Sequence, residues 1–304
     1  MRSKQQFPVN IRLILLTLFF LLILLVVVVK TNLSSSQENP AYTSQTHVST
    51  SQENPKNEDD QPRSVTTEKT SGFPFSTPSC TKTPPSLAHA LIHYATTNIT
   101  PQQTIKEISV TQKILERKSP CNFLVFGLGH DSLMWAALNH GGRTVFLEED
   151  KSWIEQIRKK QPSLESYHVV YNTKVNQADD LLENRAREEC RAVSDPRVSQ
   201  CELALKGLPS EVYEVEWDLI MVDAPTGYHR EAPGRMTAIY TAGLMARNRE
   251  EGETDVFVHD VDRNVEDKFS FAFLCEEYMR EEEGRLRHFT IPSHRARLGR
   301  PFCP

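Results

Sequence analysis

The stretch that decides the fold runs from residue 121 to residue 150 and reads CNFLVFGLGHDSLMWAALNHGGRTVFLEED. It begins with the apolar run NFLVF at residues 122–126, which has the length and composition of a buried parallel strand. Gly127 and Gly129 end that strand in a tight turn, and a short helical segment follows. A second apolar run, at residues 144–147, precedes three acidic residues. The sequence therefore predicts a βαβ unit of two parallel strands joined by a helix.

The glycine turn and the acidic end of the second strand predict a nucleoside-binding site. Glycine lets a ligand approach the backbone closely, and a carboxylate about 20 residues later can accept hydrogen bonds from ribose hydroxyls. A dinucleotide fingerprint needs a third glycine where Ser132 stands, so the pattern disfavours NAD and favours S-adenosylmethionine. Glu148 is the first choice for the ribose contact and Glu149 the second. The candidate cofactor-binding residues are Gly127, Gly129, Asp131, Glu148 and Glu149.

The rest of the folded part alternates between short apolar runs and amphipathic segments, which is the pattern of an α/β protein. Further strands are predicted at residues 167–171, 217–222, 255–259 and 286–291. Helices are predicted at residues 86–94, from an N-cap at Thr100 onward, at 176–191 and at 265–279. We therefore expect a Rossmann-like sheet of the S-adenosylmethionine-dependent methyltransferase type, with helices on both faces. Six strands are predicted, without a clear seventh.

Polar side chains follow two of these strands where each strand ends. Asp223 comes directly after residues 217–222, and His259 and Asp260 close the strand at 255–259. Ligands of open α/β sheets bind outside the carboxyl ends of the strands, so these three side chains are candidate catalytic residues. The arrangement resembles cation-dependent O-methyltransferases, which implies that Asp223 and Asp260 hold a divalent cation, Mg²⁺, Mn²⁺ or Co²⁺. His259 or a metal-bound hydroxide is expected to take the proton of an acceptor hydroxyl.

Basic and aromatic residues near these strand ends and in the C-terminal tail are candidate substrate contacts. Guanidinium groups bind carboxylates through two parallel hydrogen bonds, so clustered arginines suit an acidic sugar. A solvated charged surface is the alternative interpretation of the same residues. The candidate substrate-binding residues are Tyr228, His229, Arg235, Arg295 and Arg297.

Other interpretations of these motifs stay open at this point. The glycine turn also suits an ordinary α/β connection without a ligand. Asp223 and His259 also suit a turn cap and a buried core residue. The tripeptide Asp260-Val261-Asp262 is a D-x-D, typical of metal-dependent Golgi glycosyltransferases, although it is common by chance. A nucleotide-sugar enzyme does not need the glycine turn followed by a carboxylate on the next strand, which disfavours that class.

The N-terminal part of the chain predicts a membrane anchor and a spacer. Residues 13–29 form an apolar run with one threonine, long enough to span a thin bilayer, and a cleaved signal peptide is the alternative. Three basic residues within 1–12 precede the run, so the positive-inside rule predicts a cytosolic tail at 1–12 and a lumenal body, which is type II topology. Residues 30–79 are polar and are predicted to be a disordered stem. The predicted methyltransferase domain is 80–304.

Charge and cysteine usage limit the environment and the partners. The net charge of -5 argues against nucleic acid, because no excess of basic charge would release counterions from phosphates. All six cysteines follow the predicted span, so they would lie in an oxidising lumen where disulfides persist. Cys190 and Cys201 bracket a short loop and are the predicted pair, while the connectivity of the others stays open.

Four strings carry a resemblance to a known family. FLVFGLGHDSLMWAALNHGGRTVFLEED, WDLIMVDAPTGYHREAPGRM, DVFVHDVDR and HFTIPSHRARLGRPFCP occur in this order, and from about residue 80 to 304 the chain resembles the plant glucuronoxylan 4-O-methyltransferases. The resemblance implies a Golgi membrane enzyme of secondary cell wall biosynthesis that 4-O-methylates glucuronic acid side chains of glucuronoxylan from S-adenosylmethionine. It also implies association with xylan synthesis enzymes. The irregular-xylem proteins share the domain, so a non-catalytic scaffold of xylan synthesis is an alternative.

Overall fold

A computed structural model describes residues 83–297 and 299–304. Several predicted segments lie outside these residues and stay predictions: the cytosolic tail, the membrane span at 13–29 and the stem at 30–79. Cys80 also lies outside them. Within the described ranges, no helix combines the length and the apolar character that crossing a membrane requires.

Seven strands form one mixed sheet. They are β1 (Asn122–Phe126), β2 (Arg143–Glu148), β3 (Glu165–His168), β4 (Leu219–Val222), β5 (Glu253–His259), β6 (Met279–Glu283) and β7 (Leu286–Pro292). Their order is β3-β2-β1-β4-β5-β7-β6, with β1 to β5 parallel and β7 antiparallel to both of its neighbours. The strand order reverses between β1 and β4, which is where open α/β sheets bind ligands. The predicted α/β, Rossmann-like architecture is confirmed.

Helices cover both faces of this sheet. In the described part of the chain they are α1 (Pro85–Thr96), α2 (Ile105–Lys118), α3 (Ser132–Leu138), α4 (Lys151–Lys160), α5 (Ala178–Leu182), α6 (Ser210–Tyr213), α7 (Met236–Asn248) and α8 (Asn264–Leu274). Side chains of β1 alternate between two buried clusters: Leu124 and Phe126 pack with α5, α7 and α8, whereas Phe123 and Val125 pack with α2, α3 and α4. Burial on both faces explains why the central strands are continuously apolar.

The seventh strand, β6, is one that the sequence does not predict. The predicted helix at 265–279 is wrong at its C-terminal end, because α8 stops at Leu274 and Cys275 adopts a left-handed φ of 74°. The chain then enters β6 at Met279. Its sequence MREEE lacks a strand-like pattern because β6 is an edge strand that pairs only with β7 and exposes most of its side chains.

The start of α2 also differs from the prediction. The N-cap is Thr104 and not Thr100. Glu107 N donates to Thr104 Oγ1 at 3.3 Å, and Thr104 N donates to Glu107 Oε2 at 2.6 Å. This reciprocal capping box satisfies two otherwise unpaired N–H groups, so the helix begins there. Residues 97–104 are consequently a loop, and part of that loop reaches the strand ends.

Two other predicted boundaries change. The third strand is Glu165–His168, earlier than the predicted 167–171. The predicted helix at 176–191 is wrong as a single element: only Ala178–Leu182 is α-helical, and short 3₁₀ turns precede and follow it. The segment is charged along its length, so it lacks the continuous apolar stripe that would hold a long helix against the sheet.

Disulfides hold the two irregular parts of the described chain. Cys190 bonds Cys201, which confirms the predicted pair, and Cys275 bonds Cys303, which ties the C-terminal tail to the end of α8. Cys121 is a buried free thiol, and burial raises its pKa to about 11. A neutral buried thiol is unreactive, so Cys121 belongs to the core.

Candidate active site

A cavity of about 440 Å³ opens at the carboxyl ends of β1, β2, β4 and β5, beside the reversal of strand order. Its size is that of a small-molecule site. The structure therefore brings all five predicted cofactor residues and the acids of the strand ends into one cavity. The residues predicted from sequence that line it are Gly127, Gly129, Asp131, Glu148, Glu149, Asp223, Tyr228, Arg235 and Asp260.

The glycine turn forms one wall of this cavity. Gly127 has a φ of 128°, a conformation that residues with a side chain rarely adopt, and a Cβ there would lie 3.4 Å from the Ala224 side chain. A Cβ on Gly129 would lie 2.6 Å from Asp131 Oδ1. Trp135 Nε1 donates to the other oxygen of Asp131 at 2.9 Å, while burial and the charge of Asp223 raise the pKa of Asp131. The turn thus exposes backbone without side chains to the cavity, next to the Asp131 carboxyl that Trp135 holds in place.

The two glutamates after β2 have different partners. Glu148 is held by backbone, since Leu128 N donates to its Oε2 at 3.2 Å and Asp150 N donates to its Oε1 at 2.9 Å. Glu149 Oε1 accepts from Thr226 N at 3.3 Å, but its Oε2 is buried and has no hydrogen-bond partner among the described residues. Burial raises the pKa of both glutamates. The acceptor left free for a ligand hydroxyl is Glu149 Oε2, so this wall fits a ribose.

The predicted base His259 lies behind Asp223. The His259 side chain is fully buried and does not line the cavity, whereas Asp223 does. His259 Nδ1 donates to Asp223 Oδ1 at 3.0 Å, and His259 Nε2 faces Glu107 Oε2 at 3.9 Å. Burial alone would raise the pKa of Asp223, but the hydrogen bond from His259 and the charge of Arg235 bring it below its ordinary value. An ionised carboxylate, and not the imidazole, therefore faces a ligand.

Asp260 is the centre of a guanidinium cluster. Its backbone has a left-handed φ of 62°, which aspartate tolerates better than most residues. Arg285 Nη1 donates to its Oδ1 at 2.6 Å, while Arg235 Nη2 and Arg263 Nη2 each lie 2.9 Å from its Oδ2. Both carboxylate oxygens are therefore already paired with positive charge.

The predicted metal ligands come together, but their surroundings oppose a cation. Asp223, His259 and Asp260 each place a ligand atom within 4.8 Å of the others. A divalent ion at these atoms would compete with Arg235 and Arg285 for the oxygens of Asp260 and would lie close to both guanidinium charges. In this arrangement the residues do not fit a divalent cation, and the metal site stays a prediction.

Arg235 stabilises the site from within. Its side chain is only 4% exposed, and each of its three nitrogens has a partner. Nε donates to Pro225 O and Nη1 to His259 O, both at 2.9 Å, while Nη2 lies between Asp260 and Asp223. Arg235 therefore holds the loop after β4 against the end of β5, and its predicted bond to a substrate carboxylate would require breaking buried bonds.

Two predicted substrate residues lie at the mouth of the cavity or beside it. Tyr228 lines the cavity, and its side chain is 72% exposed. Its ring is therefore accessible for packing against a ligand. His229 does not line it; its ring packs edge-on against Tyr228 and lies 3.5 Å from Glu231.

The two arginines of the C-terminal tail lie away from the cavity, so the structure does not support their prediction as substrate contacts. β7 runs antiparallel to β5, so the chain after it emerges at the opposite edge of the sheet from the cavity. There Arg295 pairs with Glu250 at 2.6 Å and reaches Asn248 O at 3.5 Å. Arg297 is exposed two residues further on and does not line the cavity.

The tripeptide Asp260-Val261-Asp262 does not form a joint site. Asp260 is buried in the guanidinium cluster, while Asp262 is exposed and does not line the cavity. A metal-binding D-x-D needs both carboxylates on one ion, so the structure gives no support to the glycosyltransferase interpretation.

Sequence reasoning misses several side chains of this site, among them Gln103, Arg285 and Arg263. Gln103 Nε2 donates to Asp223 Oδ2 at 3.4 Å, and Arg285 Nη2 donates to the backbone of Gln102. These two residues approach from distant parts of the chain, so no local pattern signals them. Arg263 lines the cavity and follows Asp260 by three residues, across a turn in which Arg263 N donates to Asp260 O at 2.9 Å. That spacing is the signal that was available.

The seven-stranded Rossmann-like sheet with this cavity at its switch point is a methyltransferase fold. A family model described as IRX15/IRX15L/GXM matches residues 106–289, and the chain belongs to this family. It is 60% identical to glucuronoxylan 4-O-methyltransferase 3 of Arabidopsis thaliana over 304 residues, which are 100% of this chain and 98% of the relative. It is 70% identical to glucuronoxylan 4-O-methyltransferase 1 of the same plant over 230 residues, 74% of this chain and 82% of the relative. Arabinogalactan O-methyltransferase 2 of Arabidopsis thaliana is 51% identical over 231 residues, 73% of this chain and 79% of the relative.

Proposed function

We propose that this protein is an S-adenosylmethionine-dependent O-methyltransferase that methylates the 4-hydroxyl of glucuronic acid side chains in glucuronoxylan. The observation that carries the proposal is a single cavity lined by the glycine turn, by Glu149 with its unpaired oxygen and by Asp223. The acceptor is supported by relatives at 60% and 70% identity that are named glucuronoxylan 4-O-methyltransferases. The relative named for arabinogalactan supports that polysaccharide as a second candidate acceptor.

The proposed cofactor fits the wall formed by β1 and β2. When bound, S-adenosylmethionine supplies a methyl group on a positively charged sulfur. Bare backbone at Gly127 and Gly129 allows the close approach that such a ligand needs, and Glu149 Oε2 supplies a buried acceptor for a ribose hydroxyl. Glu148 acts on the turn itself by accepting from Leu128 N. We therefore assign the ribose contact to Glu149 in place of Glu148.

Asp223 is the proposed proton acceptor. The acceptor hydroxyl donates a hydrogen bond to this carboxylate, which orients the oxygen. Asp223 takes the proton as the oxygen bonds to the methyl carbon; the methyl–sulfur bond of the cofactor would break in the same step and leave a neutral thioether. His259 holds Asp223 through the 3.0 Å bond, and Arg235 offsets its charge. Because the pKa of Asp223 is below its ordinary value, the carboxylate is ionised and ready to accept at neutral pH.

Chelation tests the predicted divalent cation. Activity that is lost in EDTA and restored by Co²⁺ or Mn²⁺ would support the predicted divalent cation. Unchanged activity in EDTA would mean that the reaction proceeds with Asp223 and the guanidinium cluster and without a divalent cation.

A methyl-transfer assay tests the proposed function. The purified full chain is expected to transfer labelled methyl from S-adenosylmethionine to glucuronoxylan oligosaccharides, and nuclear magnetic resonance of the product is expected to place it on O4 of glucuronic acid. Transfer to arabinogalactan alone would support the second acceptor. Sugar transfer from a nucleotide sugar without methyl transfer would favour a glycosyltransferase, and cofactor binding without any transfer would favour a scaffold of xylan synthesis.

We also propose that the chain is a type II protein of the Golgi membrane, with the domain from residue 80 onward in the lumen. The support is the apolar run at 13–29, the basic residues before it and the disulfides of the domain, which persist in an oxidising compartment. Protease added to intact vesicles is expected to leave the domain undigested until detergent opens them. Digestion without detergent would contradict the topology, and secretion of a shortened chain would contradict the anchor.

A further inference from the structure

Two guanidinium side chains line the described part of the cavity, and they differ in how many of their N–H groups are engaged. Each nitrogen of Arg235 has a buried partner. The Arg263 side chain is 32% exposed, its Nη1 donates to Thr226 O at 3.0 Å and its Nη2 lies 2.9 Å from Asp260 Oδ2. A guanidinium carries five N–H groups. Those that remain on Arg263, including Nε–H, have no acceptor among residues 83–297 and 299–304.

Space is left open beside this guanidinium. Gly227 has a left-handed φ of 60°, and a Cβ there would lie 3.6 Å from Arg263 Nη1 and 3.2 Å from Glu266 Oε1. Glycine therefore keeps the loop after β4 from covering Arg263. The bonds to Asp260 and Thr226 fix the guanidinium on one side, so its other side is oriented and accessible.

The pairing of Arg263 with carboxylates is incomplete. Asp260 is the carboxylate within 3 Å of Arg263, and it is shared with Arg235 and Arg285. Glu266 is a poorer partner, because its Oε1 lies 4.0 Å from Arg263 Nη1. A ligand carboxylate at the free side of Arg263 would complete the pairing that these residues leave unfinished.

We propose that Arg263 binds the carboxylate of the uronic acid acceptor and thereby makes the enzyme specific for acidic sugars. The inference rests on the proposed function and names the residue that recognises the substrate class. In glucuronic acid the carboxylate is on the carbon next to the one that carries the 4-hydroxyl. A carboxylate held by Arg263 places that hydroxyl towards Asp223, whose ligand oxygen lies within 4.8 Å of that of Asp260. Arg263 then selects the acceptor and Asp223 receives its proton.

The test compares two acceptors that differ only in charge: a glucuronoxylan oligosaccharide and the same oligosaccharide with its uronate reduced to the alcohol. For Arg263→Met, kcat/KM with the uronate acceptor is expected to fall about 10- to 150-fold, the range for loss of a hydrogen bond between charged groups. With the reduced acceptor kcat/KM is expected to change about twofold or less. Affinity for S-adenosylmethionine, measured by calorimetry, is expected to stay as in the parent.

Matched variants keep the result interpretable. Arg263→Lys retains the charge but lacks the planar set of donors, so its kcat/KM with the uronate acceptor is expected to lie between those of the parent and Arg263→Met. This variant also provides the test if Arg263→Met folds poorly. Arg295→Met removes an arginine paired with Glu250 at the opposite edge and is expected to act as the parent on both acceptors. Equal losses on both acceptors in the Arg263 variants would overturn the inference, because Arg263 would then act only by positioning Asp260. A parent enzyme that methylates neither acceptor would overturn the proposed function and the inference with it.

Discussion

Asp223→Asn is expected to lower kcat for methyl transfer to glucuronoxylan by about 10² to 10⁴, the range typical for loss of a positioned proton acceptor. Asparagine keeps the size of the side chain but cannot take a proton. It can still accept from His259 Nδ1, so the buried ring keeps a partner and the fold is expected to persist. Because the Asp223 backbone lies 3.6 Å from the Cβ position of Gly127, titration calorimetry with S-adenosylmethionine is needed to separate a loss of chemistry from a loss of cofactor binding.

Asp262→Asn is the matched control for this experiment. Asp262 is exposed and does not line the cavity, so its loss is expected to leave kcat as in the parent. His259→Gln is expected to lower kcat less than Asp223→Asn, since His259 acts through Asp223. If Asp223→Asn retained full activity while His259→Gln lost it, the imidazole would be the base and the assignment made here would be reversed.

The pH dependence of the parent enzyme gives an independent check. A carboxyl with a lowered pKa stays ionised as pH falls and is protonated only below its ordinary range. Asp223 therefore contributes no loss of kcat/KM between pH 8 and about pH 5, if it is the group that must be deprotonated. A loss with a midpoint near 6.5, the ordinary value for histidine, would indicate the imidazole instead.

The sequence predicts those parts of the fold and site whose signals are local. The βαβ unit lies within 30 residues, and its glycine turn and its acidic end are read from spacing alone. Asp223 and Asp260 follow apolar strands directly, so their meeting at one edge follows from the parallel order of β4 and β5. Of these, the residues that line the cavity in the structure are Gly127, Gly129, Glu148, Glu149, Asp223 and Asp260.

The errors arise where strand direction or long-range packing decides. Their basic character makes Arg295 and Arg297 candidate substrate contacts, but β7 is antiparallel to β5 and therefore places them at the opposite edge of the sheet from the cavity. The apolar pattern of a strand does not show whether the strand pairs parallel or antiparallel to its neighbour. The edge strand β6 is too charged to be predicted, since an exposed strand has little apolar side to show.

In two pairs of residues, Asp223 with His259 and Glu148 with Glu149, the structure favours the other member for the role that the sequence predicts, and the cause is different. His259 and Asp223 were both expected at the cavity, yet the imidazole is buried against Glu107 and leaves only the carboxylate facing a ligand. For Glu148 and Glu149, the sequence cannot tell which carboxylate the backbone uses. Leu128 N and Asp150 N bind Glu148, and this leaves an unpaired oxygen on Glu149.

That difference gives an expected order of effects on cofactor binding. Glu149→Gln replaces one carboxylate oxygen by a donor and is expected to weaken S-adenosylmethionine binding about 10-fold or more, as for a hydrogen bond to a charged group. Glu148→Gln disturbs the bonds to backbone and is expected to lower thermal stability as well as affinity. Calorimetry with a melting curve of each variant separates the two. Weaker binding in Glu148→Gln alone, with unchanged stability, would return the ribose contact to Glu148.

Gly127→Val is expected to weaken S-adenosylmethionine binding by about 100-fold. The φ of 128° at Gly127 is a conformation that residues with a side chain rarely adopt, and holding valine there costs about 1–3 kcal/mol, more than enough to shift the turn. The added methyl groups would also lie against Ala224 on the cavity wall where bare backbone now faces the ligand. Titration calorimetry of the full chain with S-adenosylmethionine measures the loss.

Gly207→Val is the control for that substitution, because Gly207 has open space around its Cβ position and no left-handed φ. It is expected to bind the cofactor as the parent does. A melting curve that shows Gly127→Val to be folded at the temperature of titration assigns the weaker binding to the turn itself. Parent-like affinity in a folded Gly127→Val protein would mean that the turn after β1 does not contact the ligand. The cofactor would then have to bind elsewhere than in the cavity at the switch point. Gly127 and Gly129 would be needed only because the backbone turns tightly after β1.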